Sequence, residues 1–186
     1  MSQMLGQKRL NHSFAVADES VALGRVFGGD LAALALAGLL HDGAKELGNE
    51  KLLSIGESAG LITDPAEREN PFLLHGPVAA WLAYHEWGIR DPVILESIRL
   101  HTTGAGEMSK EACIVFMADL IEPGRAYAGV DTLRQLCMED LRTAMIEAIE
   151  QTFLYLERTE KPLHQGTSRC LAWLKKERSI EWKARS

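Results

Sequence analysis

The apolar run LAALALAGLLHD, at residues 31–42, ends abruptly in an adjacent histidine and aspartate. Asp30 precedes the run, and its carboxylate is suited to cap a helix that begins at Leu31. The apolar part is too short to cross a membrane, and the chain has no uncharged apolar stretch of about eighteen residues or more. We therefore expect a buried helix that brings His41 and Asp42 to its carboxyl end.

Apolar residues recur at intervals of three and four through most of the chain, and strict alternation over the length of a strand is hard to find. This pattern predicts an all-α protein. Asp91 and Ser109 are further candidate helix caps, and the stretch after residue 58 is expected to be irregular because it contains Asp64-Pro65 and Asn70-Pro71. The predicted helices cover residues 8–27, 31–40, 49–58, 76–87, 92 to about 101, 109–120, 132–158 and 167–177.

Composition narrows the class of protein. A chain of 186 residues with 46% hydrophobic side chains can form one compact domain, which we expect to span residues 1–186. The net charge of -6 argues against a nucleic acid polymer as partner. The amino terminus lacks the features of a secretory signal, so we expect a cytoplasmic protein. Cys113, Cys137 and Cys170 form no CxxC pair and are expected to be buried core thiols.

Four of the six histidines lie beside apolar helical residues, where a single histidine is more often structural than a ligand. Asp119 changes this interpretation, because a carboxylate inside the apolar segment 114–121 needs a cation or strong hydrogen-bond donors. Imidazoles and carboxylates from several helices together favour a site for a divalent metal ion. The four histidines are His12, His41, His75 and His101; His85, beside a predicted helix end, is excluded.

The ordered set of a first histidine, an adjacent His-Asp pair and a distant aspartate resembles the HD domain, an all-helical bundle. The resemblance is closer to the bacterial YqeK family, judged from residues 40–46, 74–77, 101–104 and 118–125. It implies symmetrical hydrolysis of diadenosine tetraphosphate to two ADP, a metal-site core at about residues 8–126 and C-terminal helices at about 131–180. Some relatives are fused to an adenylyltransferase, but too little sequence precedes His12 for that, so we expect a stand-alone hydrolase.

The same resemblance implies a centre of two divalent metal ions, with iron as the first choice and manganese as the alternative. Asp42 would bridge the two ions, and the chemistry fits, because paired cations lower the pKa of a bridging water that can act as nucleophile. The first ion would be held by His12, His41, Asp42 and Asp119, and the second by Asp42, His75 and His101.

Several other residues are candidates for contact with the substrate. Lys45 lies one helical turn after His41 and is, with Asp42, a candidate catalytic residue. Lys45 and Arg125 would neutralise charge on the substrate phosphates, and Arg9 is a weaker candidate for the same role. A late segment resembles a family motif of the form His-Pro-x-Thr, although Gln165 stands where proline is usual. The remaining candidate contacts are Thr102, Thr103, Gly104, His164 and Thr167.

Two alternatives remain open at this point. The metal-binding residues of an HD domain recognise phosphate, and the residues that select the rest of the substrate form no visible motif. Another nucleotide could therefore be the substrate. A nucleotide-binding sensor without turnover is the non-enzymatic alternative, although no output domain accompanies the cage. Trp81 and Trp87 have near-helical spacing and are expected in the core, so the sequence does not reveal how a base is bound. A homodimer is a further possibility.

Overall fold

A mostly buried helix, Lys110–Ile121, packs against five other helices in the computed structural model, which describes residues 6–176. These residues contain no β-strand, which confirms the all-α class expected from the sequence. The helices are α1 (Gln7–Phe27), α2 (Leu31–Leu40), α3 (Asn49–Ser58), α4 (Ala66–Glu69), α5 (His75–His85), α6 (Pro92–Leu100), α7 (Lys110–Ile121), α8 (Val130–Glu139), α9 (Leu141–Arg158) and α10 (Gln165–Lys176), with a 3₁₀ turn at Pro71–Leu74.

Three of the helices begin at the capping residues that the sequence predicts. Asp30 Oδ1 accepts hydrogen bonds from the amides of Ala32 and Ala33, Asp91 caps α6 in the same way, and Ser109 accepts from the amide of Ala112. A side-chain cap of this kind stabilises a helix by about 1 kcal/mol. Local chemistry therefore sets the start of α2, α6 and α7.

The carboxyl-terminal half differs in one respect from the sequence prediction. Residues 132–158 were expected to form one long helix, but the chain breaks at Asp140, whose backbone is extended (φ -151°, ψ 100°). The Asp140 carboxylate accepts a hydrogen bond from the amide of Thr143 and so caps α9. The helical spacing of apolar residues continues across the break, which explains why periodicity alone missed it. Predicted helix beyond residue 176 lies outside the described residues.

Helices α1 and α2 pack closely enough that a side chain would not fit between them. A Cβ atom added to Gly38 would lie 2.8 Å from the Cα of Ala17 on α1. This close approach holds the end of α2, and therefore His41, against α1. Both helices contribute to one hydrophobic cluster together with α5 to α9. The three cysteines are buried and free, as expected. None of the described helices is both long and apolar enough to cross a membrane.

Candidate metal centre

Six ionisable side chains from five helices converge at one place in the fold. His12 lies in the second turn of α1, and His41 and Asp42 directly follow α2. His75 begins α5, and His101 directly follows α6. Asp119 lies near the end of α7. We call these six residues the cage: His12, His41, Asp42, His75, His101 and Asp119.

Three of the four imidazoles of the cage are oriented by the backbone carbonyl three residues before each ring. His41 Nδ1 lies 2.6 Å from the carbonyl oxygen of Gly38, and His101 Nδ1 lies 2.8 Å from that of Ile98. His75 Nδ1 makes the equivalent contact, 2.6 Å from the Phe72 carbonyl oxygen. A carbonyl only accepts hydrogen bonds, so the proton of each neutral ring sits on Nδ1 and the Nε2 lone pair is left free. Three rings thus present acceptors to the interior of the cage.

Asp42 lies at the centre of these acceptors. Its Oδ1 is 3.5 Å from His41 Nε2, 3.4 Å from His75 Nε2 and 3.7 Å from His101 Nε2. Its Oδ2 is 3.7 Å from His12 Nε2, which itself lies 3.0 Å from Asp119 Oδ1. Asp42 therefore connects the acceptor atoms of His12 on α1 with those of His101 at the end of α6.

Several of these buried acceptors lack a hydrogen-bond donor among the described residues. His41 Nε2 is buried without any hydrogen-bond partner. His75 Nε2 and His101 Nε2 lie 2.9 Å apart, and the single proton of the Thr102 hydroxyl, 3.1 and 2.9 Å away, can serve only one of them. Unsatisfied buried acceptors are costly, whereas imidazole nitrogen and carboxylate oxygen are good ligands for divalent cations.

The ligand atoms are also close enough together to share an ion. They form overlapping groups of three in which the ligand atoms all lie within 4.8 Å of one another. The donor set, its burial and its unsatisfied acceptors fit divalent metal ions. The groups are His12, His41 and Asp42; His41, His101 and Asp119; and Asp42, His75 and His101.

The charge states of the cage agree with ligation. Burial lowers the pKa of His41 to about 4, so this ring is neutral at pH 7. Burial raises the pKa of Asp42, but the polar groups around it, among them the Lys45 ammonium, outweigh burial and hold that pKa far below its usual range. The pKa of Asp119 is likewise depressed, since His12 outweighs the effect of burial. Neutral imidazoles and ionised carboxylates are the forms that bind metal.

Three cationic side chains surround the cage. Lys45 Nζ lies 3.0 Å from Asp42 Oδ1, and Arg9 donates to Asp42 Oδ2 at 3.0 Å. Arg125 donates from Nε to the Asp119 carbonyl at 2.7 Å, and its guanidinium also contacts the Asp119 carboxylate. Because all three cations lie beside carboxylates of the cage, an anionic group that approached the cage would meet positive charge.

A cleft of about 920 Å³ opens over the His12 side of the cage. Its volume falls in the range of about 300–1,000 Å³ that is usual for small-molecule sites. Arg9, Lys45 and Arg125 line it together with His12 and Glu122. We call it the first cleft; it brings His12 of the cage and three cationic side chains onto one concave surface.

The other predicted contact residues lie in different surroundings. Thr102 reaches the rings of His75 and His101. Thr103 and Thr167 are buried, and the Thr167 hydroxyl donates to the Thr103 carbonyl at 2.8 Å. Gly104 follows them with φ +65°, in the left-handed region that favours glycine. Thr103, Gly104 and Thr167 do not line the first cleft.

His164 belongs to a second buried cluster. Its Nδ1 accepts a hydrogen bond from the amide of Gly166 at 2.9 Å, so its proton sits on Nε2, 3.3 Å from Glu67 Oε1. Asp64 completes this group by accepting from the amide of Gln165 at 2.9 Å. We call Asp64, Glu67 and His164 the Glu67 cluster. It ties the start of α10 to α4, and a contact of His164 with substrate remains a prediction.

One residue near the cage was not assigned a role from the sequence. Glu122, which is buried, lies with Oε1 3.1 Å from His12 Nδ1. It therefore orients the one imidazole of the cage that has no backbone carbonyl partner, as outer-shell carboxylates do for ligating histidines. The spacing of three residues from Asp119, about one helical turn, is the sequence signal that could have identified it.

Comparisons with known proteins agree with this geometry. Residues 9–124 match the model of the HD domain family. A Staphylococcus aureus protein named symmetrical bis(5'-nucleosyl)-tetraphosphatase is 35% identical over 91% of this chain and 88% of that protein. A Bacillus subtilis protein of the same name is 33% identical over 94% of this chain and 93% of that protein. A crystal structure from Clostridium acetobutylicum, described as a predicted HD superfamily hydrolase involved in NAD metabolism, matches with a TM-score of 0.90 and 36% identity, over 93% of this chain and 92% of that chain.

Proposed function

The chain belongs to the HD domain family, and from that premise we propose that it is a metal-dependent phosphohydrolase that splits diadenosine tetraphosphate symmetrically into two ADP. One observation carries the metal dependence: the buried Nε2 acceptor of His41 has no donor among the described residues, and those of His75 and His101 share a single one, beside a cleft lined with cations. The names of the two relatives support the choice of substrate.

In this proposal His12, His41, Asp42 and Asp119 would hold one divalent ion, and Asp42, His75 and His101 would hold a second. Divalent cations held there would supply a water of lowered pKa and neutralise charge on the phosphoryl oxygens. We take iron as the first choice and manganese as the alternative. The nitrogen and carboxylate donor set is compatible with both.

The protein's own residues orient the substrate in this reaction. Lys45, Arg9 and Arg125 line the first cleft, where their charge attracts the inner phosphates of the tetraphosphate. Water adds to one inner phosphorus, the bond from that phosphorus to the central bridging oxygen breaks, and ADP leaves with that oxygen. Thr102 adjoins the cage, and its hydroxyl can donate a hydrogen bond to a phosphate oxygen. Glu122 keeps the His12 ring in place through Nδ1.

The remaining assignments belong to the same proposal. Thr103 and Gly104 offer backbone groups near Thr102, and His164 and Thr167 support that loop from α10. The protein would act in the cytoplasm, on a nucleotide, and a homodimer is compatible with this role.

The proposal is tested by metal analysis and product chromatography on the same preparation. The purified protein should contain iron or manganese and convert diadenosine tetraphosphate into ADP alone. Removal of the metal with a chelator should abolish turnover, and added iron or manganese should restore it. ATP together with AMP would contradict symmetrical cleavage, and full activity of metal-free protein would contradict the metal centre.

A further inference from the structure

A second cleft, of about 760 Å³, adjoins the first cleft. Arg125 and Tyr127 line both clefts and form the boundary between them. The far side of the second cleft comes largely from α9, through Gln151, Tyr155 and Arg158. A ligand that extends past Arg125 from the first cleft would therefore enter the second.

The second cleft carries two exposed aromatic rings. Tyr127 is 40% exposed, and its hydroxyl donates to the Leu120 carbonyl at 3.0 Å, which fixes the ring position. Tyr155 is 46% exposed, and Lys161 Nζ lies 3.2 Å from its hydroxyl and 5.2 Å from its ring centroid. Exposed tyrosines held in this way are suited to stack on a nucleobase, since every base has a π face.

The second cleft also holds a cation that is free to bind an anion. Arg158 is exposed and has no carboxylate or hydrogen-bond partner for its guanidinium within residues 6–176. Arg134, on the adjoining helix α8, is instead engaged by Asp131 and by the carbonyl oxygens of Ile121 and Glu122. Arg158 therefore adds unpaired positive charge close to the tyrosine rings.

The size of the proposed substrate calls for such a site. Central cleavage leaves one ADP on each side of the scissile bond, so the enzyme must accommodate two nucleosides. The first cleft has a volume of about 920 Å³, and pockets of about 300–1,000 Å³ typically hold one drug-sized ligand. A dinucleoside tetraphosphate has two nucleoside ends and needs a second cavity for one of them.

We propose that the second cleft binds one nucleoside end of a dinucleoside polyphosphate, with its base on Tyr155 and Tyr127 and its phosphates between Arg125 and Arg158. This inference rests on the proposed function. The enzyme would recognise the length of its substrate at the surface between the loop at residues 122–129 and α9. That surface carries none of the cage residues.

The test compares Tyr155→Ala and Arg158→Ala with the native protein. Each variant should raise the KM for diadenosine tetraphosphate about tenfold, as expected for loss of one stacking or charged contact, with kcat unchanged. The inhibition constant of ADP, which has a single nucleoside, should stay within about twofold of native, since the first cleft is intact. Tyr155→Phe should retain the native KM because the ring remains.

Tyr84→Ala is the matched control, because Tyr84 is a tyrosine of similar exposure that also carries a cation, Arg90, over its ring and lies outside both clefts. Melting temperatures confirm that each variant folds; if Tyr155→Ala does not, Arg158→Ala decides. An unchanged KM in the folded alanine variants, or an equal rise in Tyr84→Ala, overturns the second cleft alone. Absence of ADP formation by the native protein overturns the proposed function, and this inference with it.

Discussion

The cage and the Glu67 cluster are both buried groups of histidine and carboxylate, but they differ in how their polar atoms are satisfied. In the Glu67 cluster, Glu67 Oε2 accepts from the amides of Thr63 and Asp64 at 2.6 and 2.9 Å, and His164 uses both ring nitrogens within the protein. In the cage, His41 Nε2 and its neighbours face other acceptors. Residue type alone therefore does not indicate a metal site; unsatisfied acceptors do.

The largest expected difference between the clusters comes from their aspartates. Asp42→Asn should lower kcat/KM for diadenosine tetraphosphate by about 10³-fold, a loss of about 4 kcal/mol in transition-state stabilisation, because the central carboxylate of the cage is lost. Metal content should fall in parallel. Steady-state kinetics and elemental analysis measure both effects.

Asp64→Asn is the matched control for that substitution. Asp64 is also buried, but its oxygens already accept from the amides of Ala66 and Gln165. We expect native metal content and a rate near native. Equal losses of activity in the two variants would remove the distinction between the clusters.

The next effect should appear in stability and not in catalysis. Glu67→Ala leaves the amides of Thr63 and Asp64 without their acceptor, so the free energy of unfolding should fall by about 2–4 kcal/mol. Metal per protein should be unchanged under native conditions. Denaturant unfolding with metal analysis of the folded protein measures this, and loss of metal at full stability would show that the Glu67 cluster takes part in binding.

A smaller effect is expected where a carboxylate supports the cage from outside. Glu122→Gln weakens the hold on His12 Nδ1, and outer-shell substitutions of this kind typically reduce metal affinity by about 10–100-fold. Competition with a chelator of known affinity measures the change. Glu19→Gln, on the same helix as His12 but outside the first cleft, serves as control. An affinity equal to that of the native protein would remove the positioning role of Glu122.

Much of the fold could be predicted from the sequence because it depends on local signals. The side chains of Asp30, Asp91 and Ser109 can cap a helix and so indicate where three helices begin. Apolar residues spaced three and four positions apart indicate the helices that follow. The break at Asp140 could not be predicted in this way. The apolar pattern runs through it, and the extended backbone there becomes evident only in three dimensions.

The candidate site likewise contains residues that a sequence signal identifies and residues that only the three-dimensional structure identifies. His12, His41, Asp42 and Asp119 were predicted because the HD motif places them in a fixed order, and His75 and His101 from the resemblance to the YqeK family, although the ligation of all six remains a proposal. Glu122 reaches His12 across the fold, 110 positions away in the chain, through the geometry at the end of α7. The second cleft needs Tyr127 and α9 to pack together, and no motif joins Tyr127 to Tyr155.

The smallest expected effect is a pH dependence that separates the Glu67 cluster from ordinary surface acids. Burial raises the pKa of Glu67, but the hydrogen bond from His164 and those from two backbone amides outweigh it and lower that pKa below the ordinary glutamate value of 4.5. A depressed pKa means that the ionised form stabilises the folded state above pH 4.5, and this contribution is lost as the pH falls through the folded pKa. The difference in unfolding free energy between native and Glu67→Gln protein should therefore be present at pH 7 and shrink below pH 4.5. Glu57→Gln, at an exposed surface pair with Arg68, is the control, and urea unfolding of metal-free protein from pH 7 to pH 3 measures all three. A difference that stays constant across that range would mean that the Glu67 charge is not what holds α10 against α4.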